Sequence, residues 1–122
     1  MMTARFKATT DIREESGPQV AVLSLEGSVD SQAIDDLQQV FGVAADDGAR
    51  HFVLDFGGVT YISSVGLRQL LEFRKAALDA GGRMCVCGLR QDIRENVFEA
   101  LGFARIIQVY SDVEEALASF SR

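Results

Sequence analysis

Two adjacent serines, Ser63 and Ser64, are the residues of this chain best placed to carry chemistry. They stand between the apolar run Val53-Leu-Asp-Phe56 and a stretch with helical periodicity, so they read as the start of a helix that follows a buried strand. At a helix start the backbone N–H groups point outward and favour negative charge. A phosphoryl group on a hydroxyl there is tolerated by the fold and changes the charge of the surface around it. A phosphorylatable binding surface is the leading expectation. The same pair also fits a structural role, because Ser is a preferred N-cap worth ~1 kcal/mol over Ala. The two roles are compatible, since a cap hydroxyl at a loop tip is within reach of a kinase.

Other chemistries find no support. The nucleophile pattern Gly-x-Ser-x-Gly fails around Ser64, where Ile62 occupies the first glycine position. The only histidine, His51, opens the strand that Ser64 follows. Five or six extended residues at ~3.3 Å each put it some 15–20 Å away, against a hydrogen-bond reach of about 3 Å. No Gly-Lys-Ser/Thr and no Gly-x-Gly-x-x-Gly after a strand is present, so no nucleotide cofactor is expected. Gly57-Gly58 and Gly81-Gly82 read as turn and cap glycines. Asp11, Asp30 and Asp55 are isolated and lack metal-ligand spacing. Cys85 and Cys87 point to one face of a strand with Cα atoms roughly 6.5–7 Å apart, near the limit for a disulfide, and are expected as buried free thiols. No catalytic residue, metal or cofactor is expected.

These residues need a scaffold, and the chain can supply one. Its 122 residues, 48% hydrophobic and 25% charged, describe one domain over 1–122 with a real core. The formal charge of -6 disfavours nonspecific nucleic-acid binding and favours basic partners. No apolar run approaches the ~20 residues of a membrane span. The N-terminus, Met1-Met-Thr-Ala-Arg-Phe-Lys7, lacks the hydrophobic segment of a signal peptide. A cytoplasmic location without membrane insertion is expected.

A first strand is predicted over about residues 4–12, a hairpin turn at Glu14–Pro18, and a second strand over Val20–Glu26 that ends at Gly27. Ser28–Ser31 is a predicted helix entry, followed by Ile34, Leu37, Phe41 and Ala45 along one face. Asp46–Gly48 ends that helix. His51–Phe56 has the continuous apolar character of a central parallel strand. Leu67, Leu70, Leu71 and Leu78 share one side of the helix after the serines, which Gly81-Gly82 closes in the manner of a left-handed cap. Arg83–Cys87 is a short strand, Ile93, Val97 and Leu101 define a third helix capped by Gly102, and Arg105–Tyr110 is a last strand. Ser111–Glu114 reads as a capping box for a final helix with Val113, Ala116, Leu117 and Phe120 on its apolar stripe. The order ββαβαβαβα predicts an α/β fold with a mixed, mostly parallel sheet, right-handed crossovers and an antiparallel first hairpin. Loops 28–31, 57–64 and 88–91 then share the rim at the carboxyl ends of the strands. Asp30, Ser63, Ser64 and Arg90 are candidates to face a partner together, although Arg90 also reads as a solvated surface arginine.

The stretch Leu54-Asp-Phe-Gly-Gly-Val-Thr-Tyr-Ile-Ser-Ser-Val-Gly-Leu-Arg68 resembles the signature of STAS domains, specifically bacterial anti-sigma factor antagonists. Gly27-Ser-Val-Asp30, Gly81–Gly88 and Leu101–Ile107 resemble further segments of the family, in the expected order over nearly the whole chain. The resemblance implies the STAS fold and a non-enzymatic switch. Such a protein binds an anti-sigma factor that is also a serine kinase and so releases a sigma factor. ATP-dependent phosphorylation of a serine at the helix start ends the association, and a separate phosphatase restores it. Matching the family's Asp-Ser-x-Gly-Leu outward from Gly66-Leu67 places the acceptor at Ser64. Ser63 stands where the family often has aspartate and is the second candidate. The implied partner surface comprises Asp30, Ser31, Ser63, Ser64, Val65, Gly66 and Arg68. The alternative is a STAS scaffold subunit of a lipid ABC transporter or other regulatory complex, which predicts co-purification with an ATPase and no serine phosphate.

Overall fold

Val20–Leu25 and His51–Phe56 are rich in β-branched and aromatic residues, and they lie in the two longest strands of a five-stranded sheet. The computed structural model describes residues 5–15 and 17–121. Its elements are β1 (Lys7–Arg13), β2 (Val20–Val29), α1 (Ile34–Asp46), β3 (His51–Ile62), α2 (Ser64–Asp79), β4 (Arg83–Cys87), α3 (Gln91–Ile93), β5 (Val109–Tyr110) and α4 (Val113–Ala118). A π-helical turn over Arg94–Glu99 continues α3, and a 3-10 turn spans Phe103–Arg105. The order ββαβαβαβα is observed as expected, with the strands in chain order across the sheet. β1 and β2 are antiparallel and the other three pairings are parallel. Residue 4 of the expected first strand lies outside the described residues.

Alternation along β3 sends Phe52, Leu54 and Phe56 to one face and Val53 to the other. The larger core joins the first face to Leu37 and Phe41 of α1 and Leu70 and Phe73 of α2, with the Phe41 and Phe73 rings stacked at 4.0 Å. On the second face Val20, Val22, Cys85 and Cys87 pack beneath Ala116, Leu117 and Phe120 at the α4 end of the chain. Both cysteines are free and buried, and burial pushes each thiol up to about 12.

The largest departure from expectation lies in β2 and β3, which both run on through their glycines. Gly27 does not end β2, and Gly57-Gly58 form no turn. The pairing steps from Ser24↔Asp55 to Glu26↔Gly58 and again from Gly27↔Val59 to Ser28↔Tyr61, so β3 carries an extra residue at each step. These are bulges, and they break the period-2 pattern that would have marked a continuous strand. A Cβ on Gly58 would lie 2.5 Å from the Glu26 Cβ, so glycine there permits close strand approach. β4 pairs with β3 only as far as Asp55↔Cys87. The outer part of β3 therefore has β2 as its only strand partner among the described residues, and it delivers the serines to the end of that two-stranded extension.

Several smaller expectations are corrected. Ser28 belongs to β2, and α1 begins at Ile34 with no side-chain cap, so 28–31 is not a helix entry. Ala44 rather than Ala45 completes the buried stripe of α1. In α2, Phe73 and Ala77 are buried while Leu78 is exposed. The π turn inserts a residue after α3, which brings Phe98 into the core and leaves Leu101 exposed. Residues 105–108 are not strand, although Ile107 is buried in the main core. The cap of α4 is Asp112, whose Oδ1 accepts from the Glu115 N–H at 2.8 Å, while Glu115 accepts from the Ser111 N–H at 2.7 Å. That box sits one residue later than the spacing predicts. The left-handed cap after α2 is present at Gly81, with φ +85°. Among the described residues no helix is long and apolar enough to cross a membrane.

Candidate functional site

Ser63 leaves β3 in extended backbone, φ -88° and ψ 172°, and its hydroxyl accepts from the Gly66 N–H at 3.2 Å. This is the N-cap bond of α2. The Ser63 N–H donates to the Val29 carbonyl at 3.0 Å, and its Oγ lies 3.4 Å from the same oxygen. Ser63 is half-buried, pinned between the end of β2 and the start of α2. Ser64 is the first residue of α2 and is exposed. Among the described residues its Oγ takes part in no hydrogen bond; the bonds at this corner belong to Ser63. The two serines thus have different work: one holds the helix start and the other presents a free hydroxyl.

Gly66 makes this junction possible. A Cβ there would lie 2.6 Å from the Val29 carbonyl oxygen and 2.9 Å from Ile62 Cγ1, so α2 docks this close to β2 only through a glycine. Behind it, buried Gln69 accepts from Gln38 Nε2 at 2.7 Å and ties α2 to α1. Asp30 follows Val29 directly, and its Oδ1 accepts from the Gln32 N–H at 3.1 Å in an Asx turn. A cleft of about 480 Å³ opens beside this turn, lined by Arg5, Phe6, Ser28, Asp30, Ser31, Gln32, Ala33 and Asp36.

Asp30, Ser31, Ser63, Ser64, Val65 and Arg68 therefore belong to one corner, where β2 and β3 end and α2 begins. Gly66 lies buried beneath it and presents little surface of its own. Arg90 stands apart from this group. It precedes α3, pairs with Asp92 at 3.3 Å, and shares no hydrogen bond or ion pair with the serine corner among the described residues. The loop that carries it leaves β4 at Gly88, against Asp55 and Gly57, well before β3 reaches Ile62.

Sequence reasoning overlooked Tyr61 and Asp36. Tyr61 pairs with Ser28 across the extension and is 55% exposed; Val65 nearby on the chain is 45% exposed. Asp36 joins Asp30 in lining the cleft, while Tyr61 and Val65 are exposed apolar side chains on either side of the serines in the chain. The signal for Tyr61 was the β-favouring run Val59-Thr-Tyr-Ile62, masked by the glycines before it.

The one histidine stands far from the serine corner. His51 opens β3, and about 35–40 Å of strand at ~3.3 Å per residue separates it from Ser64. That exceeds the expected separation because β3 has twelve residues. His51 packs against Phe120 at the far edge; burial, and then the Arg50 and Arg83 charges, hold its imidazole below its ordinary pKa. Among the described residues no group of three His, Cys, Asp or Glu side chains is arranged to hold a metal ion.

Known proteins share this fold. The STAS domain family matches residues 11–116. BtrV of Bordetella bronchiseptica, named as an anti-sigma factor antagonist, is 37% identical over 99 residues, covering 81% of this chain and 84% of that protein. A Thermotoga maritima crystal structure described as an anti-sigma factor antagonist superposes with a TM-score of 0.79 at 19% identity, covering 94% of this chain and 95% of that one. Bacillus SpoIIAA in its phosphorylated form gives a TM-score of 0.67 at 20% identity, covering 94% and 98% of the two chains. The chain belongs to the STAS domain family.

Proposed function

We propose that this chain is an anti-sigma factor antagonist, a non-catalytic binding protein switched off by phosphorylation of Ser64. It takes up an anti-sigma factor that is itself a serine kinase through the corner of Asp30, Ser31, Tyr61, Val65 and Arg68, and the sigma factor is freed. The observation that carries this reading is the division between the serines: Ser63 caps α2 while Ser64 stands exposed and unbonded. The 37% identity to BtrV, named as such an antagonist, supports the same class.

In the transfer, Ser64 Oγ attacks the γ-phosphorus of ATP held by the partner kinase. An Oγ–P bond forms as the bond to ADP breaks, and the hydroxyl proton leaves to a base on the kinase or to solvent. A separate phosphatase returns the serine by hydrolysis. The phosphate adds about -1.5 to -2 charges. The N-terminus of α2 offsets only ~0.3–2 kcal/mol of that within the chain. An interface packed around a neutral hydroxyl must then desolvate or repel a dianion, at several kcal/mol. Each 1.4 kcal/mol is about tenfold in affinity. Binding is lost without refolding, because the helix start rests on Ser63.

Affinity purification from the native host with wild type, Ser64→Ala and Ser64→Glu, together with phosphopeptide mapping, tests the reading. Recovery of a serine-kinase anti-sigma factor by wild type and Ser64→Ala but not Ser64→Glu, with phosphate on Ser64, is the expected result. Equal recovery of an ABC transporter by all three, with no phosphate, would replace the switch with a scaffold.

A further inference from the structure

We propose that Arg68 is the internal partner of phospho-Ser64: one turn along α2, its guanidinium closes on the phosphate, holding the modified state and leaving the binding surface at the same time. The inference rests on Ser64 being the modified residue. Ser64 and Arg68 are four residues apart in α2 and both are exposed. That spacing places their Cβ atoms about 5–6 Å apart on one face of the helix.

Arg68 is uncommitted before modification. Among the described residues the ion-paired cations are Arg13, Lys75, Arg90 and Arg94. Arg74 and Arg83 donate to the Ile106 carbonyl and to Gln108 and Ser119. The first turn of α2 contains no acidic residue, so no carboxylate precedes Arg68 on its helix. Glu72 follows it by four residues, and the two form no ion pair. A cation followed by an anion is the weaker order at this spacing, because both charges then oppose the helix dipole.

A phosphate on Ser64 reverses that order. The anion now lies at the positive end of α2 and the cation one turn later. It also carries more charge than a carboxylate and offers three acceptor oxygens to the guanidinium fork. The Ser63 hydroxyl remains on the Gly66 N–H and does not compete for the phosphate. Phosphorylation therefore acts twice on the surface, adding an anion and withdrawing a cation that would otherwise meet acidic or carbonyl groups of the partner.

The test is a ³¹P NMR titration of the full chain with phosphoserine installed at position 64 during translation, which requires neither kinase nor partner. The second phosphate pKa is expected to be lower in wild type than in Arg68→Gln by about 0.15–0.4 units. Arg68→Lys should fall between them, and high salt should shrink the difference. Unphosphorylated Arg68→Gln should keep the wild-type melting temperature, which separates the pairing from any structural role. Identical titrations of wild type and Arg68→Gln would overturn the pairing. If phosphate still abolished partner binding in that case, Arg68 alone would lose its role. A clear pKa difference with unchanged partner binding would retain the pair and remove the switch.

Discussion

Removing the Ser63 hydroxyl should destabilise the unmodified protein, and removing the Ser64 hydroxyl should not. In Ser63→Ala the Gly66 N–H loses its acceptor, now at 3.2 Å, at a position buried against Val29. Loss of an N-cap costs about 1–2 kcal/mol when the freed donor is poorly solvated. The longer approach of Ser63 Oγ to the Val29 carbonyl, 3.4 Å, adds little. With an unfolding entropy of about 2.1 cal/mol/K per residue, 122 residues give roughly 0.26 kcal/mol/K, so the melting temperature should fall by ~4–8 °C. Ser63→Asp should recover most of this, because a carboxylate also accepts from the Gly66 N–H and favours a helix start. Ser64→Ala removes an exposed, unbonded hydroxyl at a position where Ala is a good helix former, so it should melt with wild type. Differential scanning calorimetry of the four dephosphorylated proteins decides the matter. A Ser63→Ala protein within 1 °C of wild type, or a Ser64→Ala protein that drops as far, would refute the assignment of cap and acceptor.

Further outcomes follow from the same geometry. Gly66→Ala should lower stability, because backbone contact at 2.6 Å puts the overpacking penalty toward the upper part of ~1–3 kcal/mol and above the ~1 kcal/mol helical gain. Gly42→Ala, where a Cβ meets nothing within 4 Å in α1, should instead gain up to about 1 kcal/mol; urea denaturation reads both. Cys85 and Cys87, buried with thiols pushed up to about 12, should resist iodoacetamide in the native state and react at the rate of unfolding. Their raised pKa values also make the neutral thiol the folded form. That stability is full below the unfolded value and should be lost as pH rises from about 8.5 toward the folded value. His51 has the opposite sign: its lowered pKa favours the neutral ring in the fold. Its contribution is complete above about 6.5 and lost as pH falls through the folded value, so His51→Gln should flatten thermal stability between pH 7 and 5.

The elements with uninterrupted patterns were legible in the sequence. Val20–Leu25, His51–Phe56 and Arg83–Cys87 are strands as expected, and the α1 and α2 helices follow their apolar stripes. The outer halves of β2 and β3 were not legible, because glycine signals a turn and a bulge alike, and only strand proximity distinguishes them. Gly58 is explained by the Glu26 backbone opposite, a long-range contact that no local spacing encodes. The face of the third helical segment was misread for a related reason: one π turn moves burial from the 3.6-residue pattern to Phe98. At the site, the type of chemistry was visible in two hydroxyls before a helix. Which serine would be the cap depended on one residue of helix phase, fixed by the Val29 and Gly66 contacts. The Ser111 box slipped by one residue in the same way.

The central claim is that one phosphate on Ser64 turns off partner binding. The most direct measurement is the equilibrium affinity of the host's serine-kinase anti-sigma factor for this chain, unmodified and with phosphoserine installed at 64. The account predicts tight binding to the unmodified chain and at least a hundredfold loss with phosphate, about 3 kcal/mol. Affinities within twofold of each other would contradict it.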